Sequence, residues 1–500
     1  MTRLPSGLLM GVDLGAGGVK VSILDAEGCT VSEGSAPIST RMPQPGWVEQ
    51  DPADWWRAAT AAVGRALASG VEPRRVGAVG VSGGAHIGVL TDPSGTPLRP
   101  AILWSDSRSV READELREAA GARIIELSLN QVNPTWLLPQ LLWLRRHDPD
   151  AVGATTRVFL AKDWLRYKLT GAWHSDFSDA VGALMADSST RGWSLELCEM
   201  VGWRPETLPP IADPTAIVGA VTAAAAAECG LSAGTPVVCG SNDTTVELFG
   251  AGATRAGQGA VKLATAGVIY QVTDGPLVRP PVSCYPHVVD GLYYTATGIN
   301  SCASAHRWLR DQMFEAEGFA GMDAIAGSVS PGCEGLLFHP YLQGERAPHW
   351  DSRLRGDFLG LTMQHDRAHF ARALYEGIAF ALRDAMTAAE ELGMAYETSL
   401  SIIGGGARSA TWRQIVADVL GKEMTLPSNG DASFGAALLA GIGIGQFTDP
   451  DDAVARCCRT TSAHEPSPEI HKRYSELFDI YRDAQRNLVE TNHRLHELNT

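Results

Sequence analysis

Two glycine-rich turns, one small-residue turn and two strand-end aspartates are the residues of this sequence whose types and spacing could do chemistry. The first turn lies in "LLMGVDLGAGGVKVSILDAEG" (8–28), with Asp13, Gly15, Gly17, Gly18 and Lys20. The second is Ala264-Thr265-Ala266-Gly267 inside "GAVKLATAGVIYQVT" (259–273), and the third is Gly404-Gly405-Gly406-Ala407 inside "LSIIGGGARSATWRQIVADVLGK". Glycine lets backbone N–H groups approach and converge on a phosphate. A carboxylate at the end of an apolar strand sits where loops leave a sheet and ligands collect. Asp13 and Asp243 (in "TPVVCGSND") are such carboxylates, and together with the turns they point to phosphoryl transfer. That chemistry needs Mg²⁺, an in-line acceptor and a carboxylate for the acceptor hydroxyl.

The first turn is not a dinucleotide fingerprint, because Lys20 stands where the third glycine belongs and a strand, not a helix, follows. Nor is it a P-loop, since Lys20 precedes Val21 inside that strand. Val19, Val21 and Ile23 alternate with Lys20 and Ser22, which predicts strand, tight turn, strand. An ordinary hairpin using Gly15, Gly17 and Gly18 for positive φ is the competing reading. The third turn has Ser409 in place of the fingerprint's last glycine, and "EMTLP" supplies no ribose-binding acid; a side-chain-free surface beneath an adenosine suits it better.

Other segments suggest an acceptor site. "ILWSDSRS" (102–109) sets Trp104, Asp106 and Arg108 after an apolar strand, an aromatic face, an acid and a base able to contact a carbohydrate. A core tryptophan with a surface ion pair is the alternative. His86 follows the strand predicted over 75–84 and faces either the cleft or the core. In "PYLQGERAPHW" (340–350), Glu345 and Arg346 are expected to pair structurally across an interdomain loop.

These residues require two α/β units to position them. Five hundred residues exceed one core, and 45% hydrophobic with 20% charged residues is the composition of a globular protein. The formal charge of −16 argues against a nucleic acid or an anionic membrane as partner. No apolar run approaches a membrane span, and Asp13 interrupts the short run that could imitate a secretory signal. Nine scattered cysteines without a C-x-x-C pair suggest reduced thiols in the cytoplasm, with no zinc and no disulfide framework. After the first hairpin, 29–38 supplies a third strand. Asp51, Pro52 and Gly70 then bound a helix with Trp55, Ala59, Ala62, Ala66 and Leu67 on its buried stripe. The stretch 119–202 is richer in helix, Ser409 and Gly421 bound another helix, and the last forty residues read as a terminal amphipathic helix. Two halves that each open with a phosphate hairpin suggest duplication around a central cleft, divided at 1–245 and 246–500.

Taken together, the chain resembles the FGGY family of carbohydrate kinases, within it the xylulokinase-like branch. "GVDLGAGGVK", "QPGWVEQDPADWW", "LRPAILWSDSRS", "CGSNDTT", "PYLQGERAPH", "GDFLGLTMQH" and "IIGGGARSATWRQIVADVLG" follow the family's order over about 9–441. The resemblance implies an actin-like fold of two RNase H-like lobes, with ATP and an open-chain sugar or polyol in the cleft. It further implies Asp243 as catalytic base and Asp13 as the acid serving Mg²⁺, with Asp243 also on the metal and sugar. Gly15, Gly17, Gly18, Lys20, Thr265 and Gly267 fall on the phosphates, and Gly405, Gly406 and Ala407 along the adenosine. His86, Trp104, Asp106 and Asn130 fall on the sugar side. Ketopentose is the expected acceptor, with gluconate, glycerol, a tetritol or another ketose as the alternative, because Gly84-Ala85-His86-Ile87 stands where xylulokinases read Gln-Met-His-Gly. Ala16-Gly17 and Ala264/Ala266 also replace hydroxyl residues of the family's turns. A nucleotide-binding sensor without turnover is the distant alternative, and a homodimer is left open.

Overall fold

The computed structural model describes residues 7–279 and 282–498. The first lobe is built on β1 (Leu8–Gly15), β2 (Gly18–Leu24), β3 (Thr30–Pro37), α1 (Pro52–Ala68), β4 (Val76–Gly83), β5 (Ile217–Ala220), β6 (Pro236–Val238) and α2 (Asp243–Gly250). The second uses β7 (Gly259–Leu263), β8 (Gly267–Thr273), β9 (Ser283–Pro286), β10 (Tyr293–Ile299), α3 (Arg367–Glu391), β11 (Ser399–Ile403), α4 (Ala410–Leu420), β12 (Glu423–Pro427), α5 (Ala432–Gly443), β13 (Thr460–His464) and α6 (Pro468–Glu497). The strand orders are β5-β6-β4-β1-β2-β3 and β9-β10-β8-β7-β11-β12-β13. In each sheet the first hairpin and its next neighbour run antiparallel, while the two following strands join the other side in parallel. The two sheets therefore repeat one topology, the duplicated RNase H-like plan of the actin fold.

Local signals account for most elements. Asp51 caps α1 by accepting the Ala53 N–H at 2.9 Å, with Pro52 in its first turn. Ser409 caps α4 by accepting from Trp412 at 3.0 Å, and left-handed Gly421 ends it. The first hairpin closes at the Gly15–Gly18 pair. None of Gly15, Gly17 and Gly18 has positive φ, so the competing explanation of these glycines does not hold. Gly18 is required by close approach instead, since a Cβ there would lie 2.5 Å from the Ala36 carbonyl oxygen, whereas Gly17 faces open space.

Packing crosses the chain's midpoint. Helix α5, late in the sequence, lies on the first sheet: a Cβ at Gly11 would fall 1.7 Å from the Ser433 carbonyl oxygen, and one at Gly80 1.9 Å from that of Ala436. A hydrophobic cluster also joins the two lobes, combining Leu137, Leu141 and Trp136 with Tyr270, Tyr285 and Tyr294. A division at 245/246 would cut α2 (Asp243–Gly250), which packs with the first lobe, and α5 likewise belongs by packing to the first sheet. No helix among the described residues is long and apolar enough to cross a membrane.

Candidate active site

Four carboxylates converge from three elements. Asp13 comes from β1, Asp243 and Glu247 from consecutive turns of α2, and Asp431 from the N-cap of α5. Asp13 accepts a hydrogen bond from Ser82 Oγ at 2.8 Å. Burial, and then the negative charges of Asp243, Asp431 and Glu247, push its carboxyl up to about 7. Asp243 occupies the first turn of α2, where Asn242 caps the helix by accepting the Thr245 N–H at 3.0 Å. Its Oδ1 accepts the Thr244 N–H at 2.6 Å, fixing the carboxylate's orientation. Two lysines flank the acids: Lys20 pairs with Asp431 and with Glu33 (3.1 Å), and Lys262 pairs with Glu247. Those two cations and the helix terminus do not cancel the repulsion felt at Asp13.

The donor set fits a divalent cation that keeps waters and shares phosphate oxygens. No three His, Cys, Asp or Glu groups among the described residues are placed to hold a metal alone. Hard oxygen ligands in small number, completed by water and phosphate, are the usual surroundings of Mg²⁺. A cation beside Asp13 would relieve the like-charge repulsion that now raises it.

A cleft of about 540 Å³ runs from Lys20 and Glu247 past Gly404, Gly405 and Ala407 to Asn429 and Asp431. A Cβ added at Gly405 would meet nothing within 4 Å, so its backbone is open, as a flat cradle under a nucleoside requires. Gly406 differs: a Cβ there would meet the Trp412 ring at 2.7 Å, which makes it a packing glycine. Gly267 is likewise packed, with Ile299 at 2.9 Å, and Ala407 is buried with its carbonyl accepting from Arg413. Thr265 is exposed on the second turn, and its carbonyl accepts from the Cys302 and Ser304 N–H groups, both at 3.2 Å.

On the sugar side, His86 adopts a left-handed backbone (φ 73°) that aims its ring at the lobe junction. It stacks on Trp136 at 4.2 Å and stands 6.2 Å from Tyr285. Its Nδ1 lies 2.5 Å from the Gly182 carbonyl, which can only accept, so the proton sits on Nδ1 and Nε2 is left as an acceptor. Burial pushes this imidazole down to about 4, which keeps it neutral near pH 7. Trp104 is 44% exposed and free to present its ring. Two sugar-side expectations change. Asp106 is fully buried, with both oxygens held by Arg108 and the Val48 N–H, and Arg108 stacks 3.8 Å over Trp47. Asn130 spends its amide on Cys284 of β9, donating at 2.7 Å and accepting at 2.9 Å, and so ties the lobes together. Neither side chain is open to an acceptor in this geometry.

Sequence reasoning overlooked Glu247, Asp431, Lys262 and Trp136. Glu247 lies one helical turn after Asp243, an i,i+4 spacing that was available as a signal. Asp431 begins "DASFG", an N-cap pattern, but nothing local tells that its helix crosses to the first sheet.

Residues 8–250 match the N-terminal domain, and residues 260–444 the C-terminal domain, of the FGGY family of carbohydrate kinases. The chain belongs to that family. It is 30% identical to the xylulose kinase of Bacillus subtilis, over 97% of this chain and 98% of that one. With the xylulose kinase of Escherichia coli the identity is 35%, over 87% and 90%. A solved xylulose kinase from Brucella ovis superposes with a TM-score of 0.86 at 32% identity, covering 98% of this chain and all of that one. The gluconokinase of B. subtilis is 28% identical, over 96% and 95%.

Proposed function

We propose that this protein is an ATP-dependent kinase that phosphorylates a terminal hydroxyl of D-xylulose or a closely related ketopentose. The observation that carries the reading is the similarity to several xylulose kinases at 30–35% identity over most of the chain, and the cluster of Asp13, Asp243, Glu247 and Asp431 supports it. Asp243 is the base: its Oδ1 is anchored by Thr244, leaving Oδ2 to accept the proton of the acceptor hydroxyl. Asp13, with Ser82 behind it, is the metal-side acid, and Asp431 and Glu247 extend the negative field around it. Open backbone at Gly17 and Gly405 leaves room for phosphate and nucleoside. MgATP, when bound, supplies the phosphoryl group and neutralises the charge that these acids create. His86 Nε2 accepts a sugar hydroxyl, and the rings of Trp136, Tyr285 and Trp104 exclude water around the carbon chain.

Gluconate is the second reading, favoured by the gluconokinase similarity and by Gly84-Ala85, which leave the sugar side short of an amide and a thioether. ATP consumption measured across D-xylulose, other ketoses, gluconate, glycerol and tetritols separates them. Turnover confined to ketopentoses is expected, and a higher kcat/KM for gluconate would replace the first reading with the second.

A further inference from the structure

The 340–350 loop carries two charged residues that do not pair as their adjacency suggests. Glu345 is buried; its Oε1 accepts the N–H groups of Asn300 (2.6 Å) and Arg346 (2.8 Å), while Oε2 is buried with no partner. Burial pushes this carboxyl up to about 7, so it is a weak counter-charge. Among the described residues the Arg346 guanidinium forms no ion pair. Nη2 donates to the Ile299 carbonyl at 3.1 Å, and Nε is buried without a partner. Gly298 makes room for it, since a Cβ there would lie 2.9 Å from Nη2. A guanidinium has five donors in a rigid fork, and burying it with donors unmatched and only the Glu345 carboxyl, itself raised by burial, for a counter-charge is costly unless a ligand completes it.

Its surroundings indicate which ligand. Tyr285 and Tyr270 lie within electrostatic reach of Arg346. Tyr285 is also the ring beside His86 (6.2 Å) and Trp136 (5.9 Å), and Tyr270 is 6.1 Å from Tyr294. Tyr285 thus stands beside the first lobe's histidine and within electrostatic reach of the second lobe's arginine. The adenosine side of the cleft, lined by Gly404, Gly405, Ala407, Arg408 and Asn429, does not include Arg346.

We propose that Arg346 is an acceptor-binding residue, donating its open N–H groups to oxygens of the open-chain sugar from the second lobe. The inference rests on the sugar-kinase reading and adds to it the group by which the second lobe senses the acceptor. The test is steady-state kinetics of the full-length protein, with D-xylulose and ATP varied separately. Arg346→Ala is expected to raise KM for D-xylulose by about 10-fold or more, the scale of a lost charge-assisted hydrogen bond, with KM for ATP within about twofold. Arg346→Lys, which retains charge without the fork, should fall between. Should Arg346→Ala fail to fold, Arg346→Lys and Gly298→Ala, whose methyl displaces Nη2, carry the same test with smaller rises in the same KM. An unchanged sugar KM in every soluble variant, a rise in ATP KM alone or to the same extent, or a loss confined to kcat would overturn the proposal. If the wild type turns over another acceptor instead, the same constants are measured with that acceptor, so the substrate assignment and the role of Arg346 fail separately.

Discussion

The hairpin of β1 and β2 and the hairpin of β7 and β8 hold the same place in their sheets but set opposite charges, Asp13 and Lys262, at the matching position of their first strands. In the first, Asp13 faces Lys20 across the strands; in the second, Lys262 faces Val268. Asp13 is pushed up by burial and by the acids around it, whereas Lys262 is held protonated by Glu247, which arrives from α2 of the first lobe. Two residues before Asp13 stands Gly11, pressed by α5; two residues before Lys262 stands Ala260, which bears a methyl without conflict. Duplication therefore repeated the position of the turn and not its chemistry. One hairpin brings an acid into the carboxylate cluster, and the other reaches back with a lysine that pairs with Glu247.

The largest expected effect belongs to Asp243, the proposed base, which lies outside both hairpins. Asp243→Asn is expected to lower kcat by about 10²–10⁴ with ATP affinity nearly unchanged, measured by steady-state kinetics and nucleotide titration. A near wild-type rate would remove Asp243 from the chemistry. Gly11→Ala should destabilise the fold by about 3 kcal/mol or more in denaturant unfolding, because its methyl would have to displace the α5 backbone. An unaffected protein would mean that α5 yields easily and that the first hairpin is no more constrained than the second. Asp13→Asn should raise the Mg²⁺ concentration for half-maximal rate by about 10–100-fold, read from rates at fixed ATP.

The same substitution has a pH-dependent consequence for the ligand-free fold. Asp13 titrates near 7 when folded and near 3.8 when unfolded, so the folded state carries a penalty that grows as pH rises from about 4 and is complete above 7. Asp13→Asn should thus raise Tm relative to wild type more at pH 8 than at pH 5. A difference independent of pH would show that Asp13 is not held against burial and repulsion. The smallest effect belongs to the turn itself: Ala16→Ser restores a hydroxyl and is expected to lower KM for ATP by about 2–10-fold, the worth of one hydrogen bond.

What could be read from the sequence was local. Hairpin periodicity, the caps Asp51 and Ser409, and the left-handed Gly421 are encoded within a few residues of where they act, and each stands where it was expected. The acid cluster was only half legible, because Asp431 meets Asp13 through a helix that returns to the first sheet more than four hundred residues later. Asp106 and Asn130 illustrate the converse: their types suit a sugar, but burial commits one to Arg108 and the other to Cys284. Adjacency also misled at Glu345 and Arg346, where backbone N–H groups claim the carboxylate before the guanidinium can.

The proposed reaction is phosphoryl transfer to a ketopentose. Product analysis of the wild-type protein with MgATP and D-xylulose by ³¹P NMR tests it most directly. The expected spectrum contains ADP and a sugar phosphate monoester on a terminal carbon, formed in equal amounts. ADP accompanied only by inorganic phosphate, or ATP left intact, would contradict it.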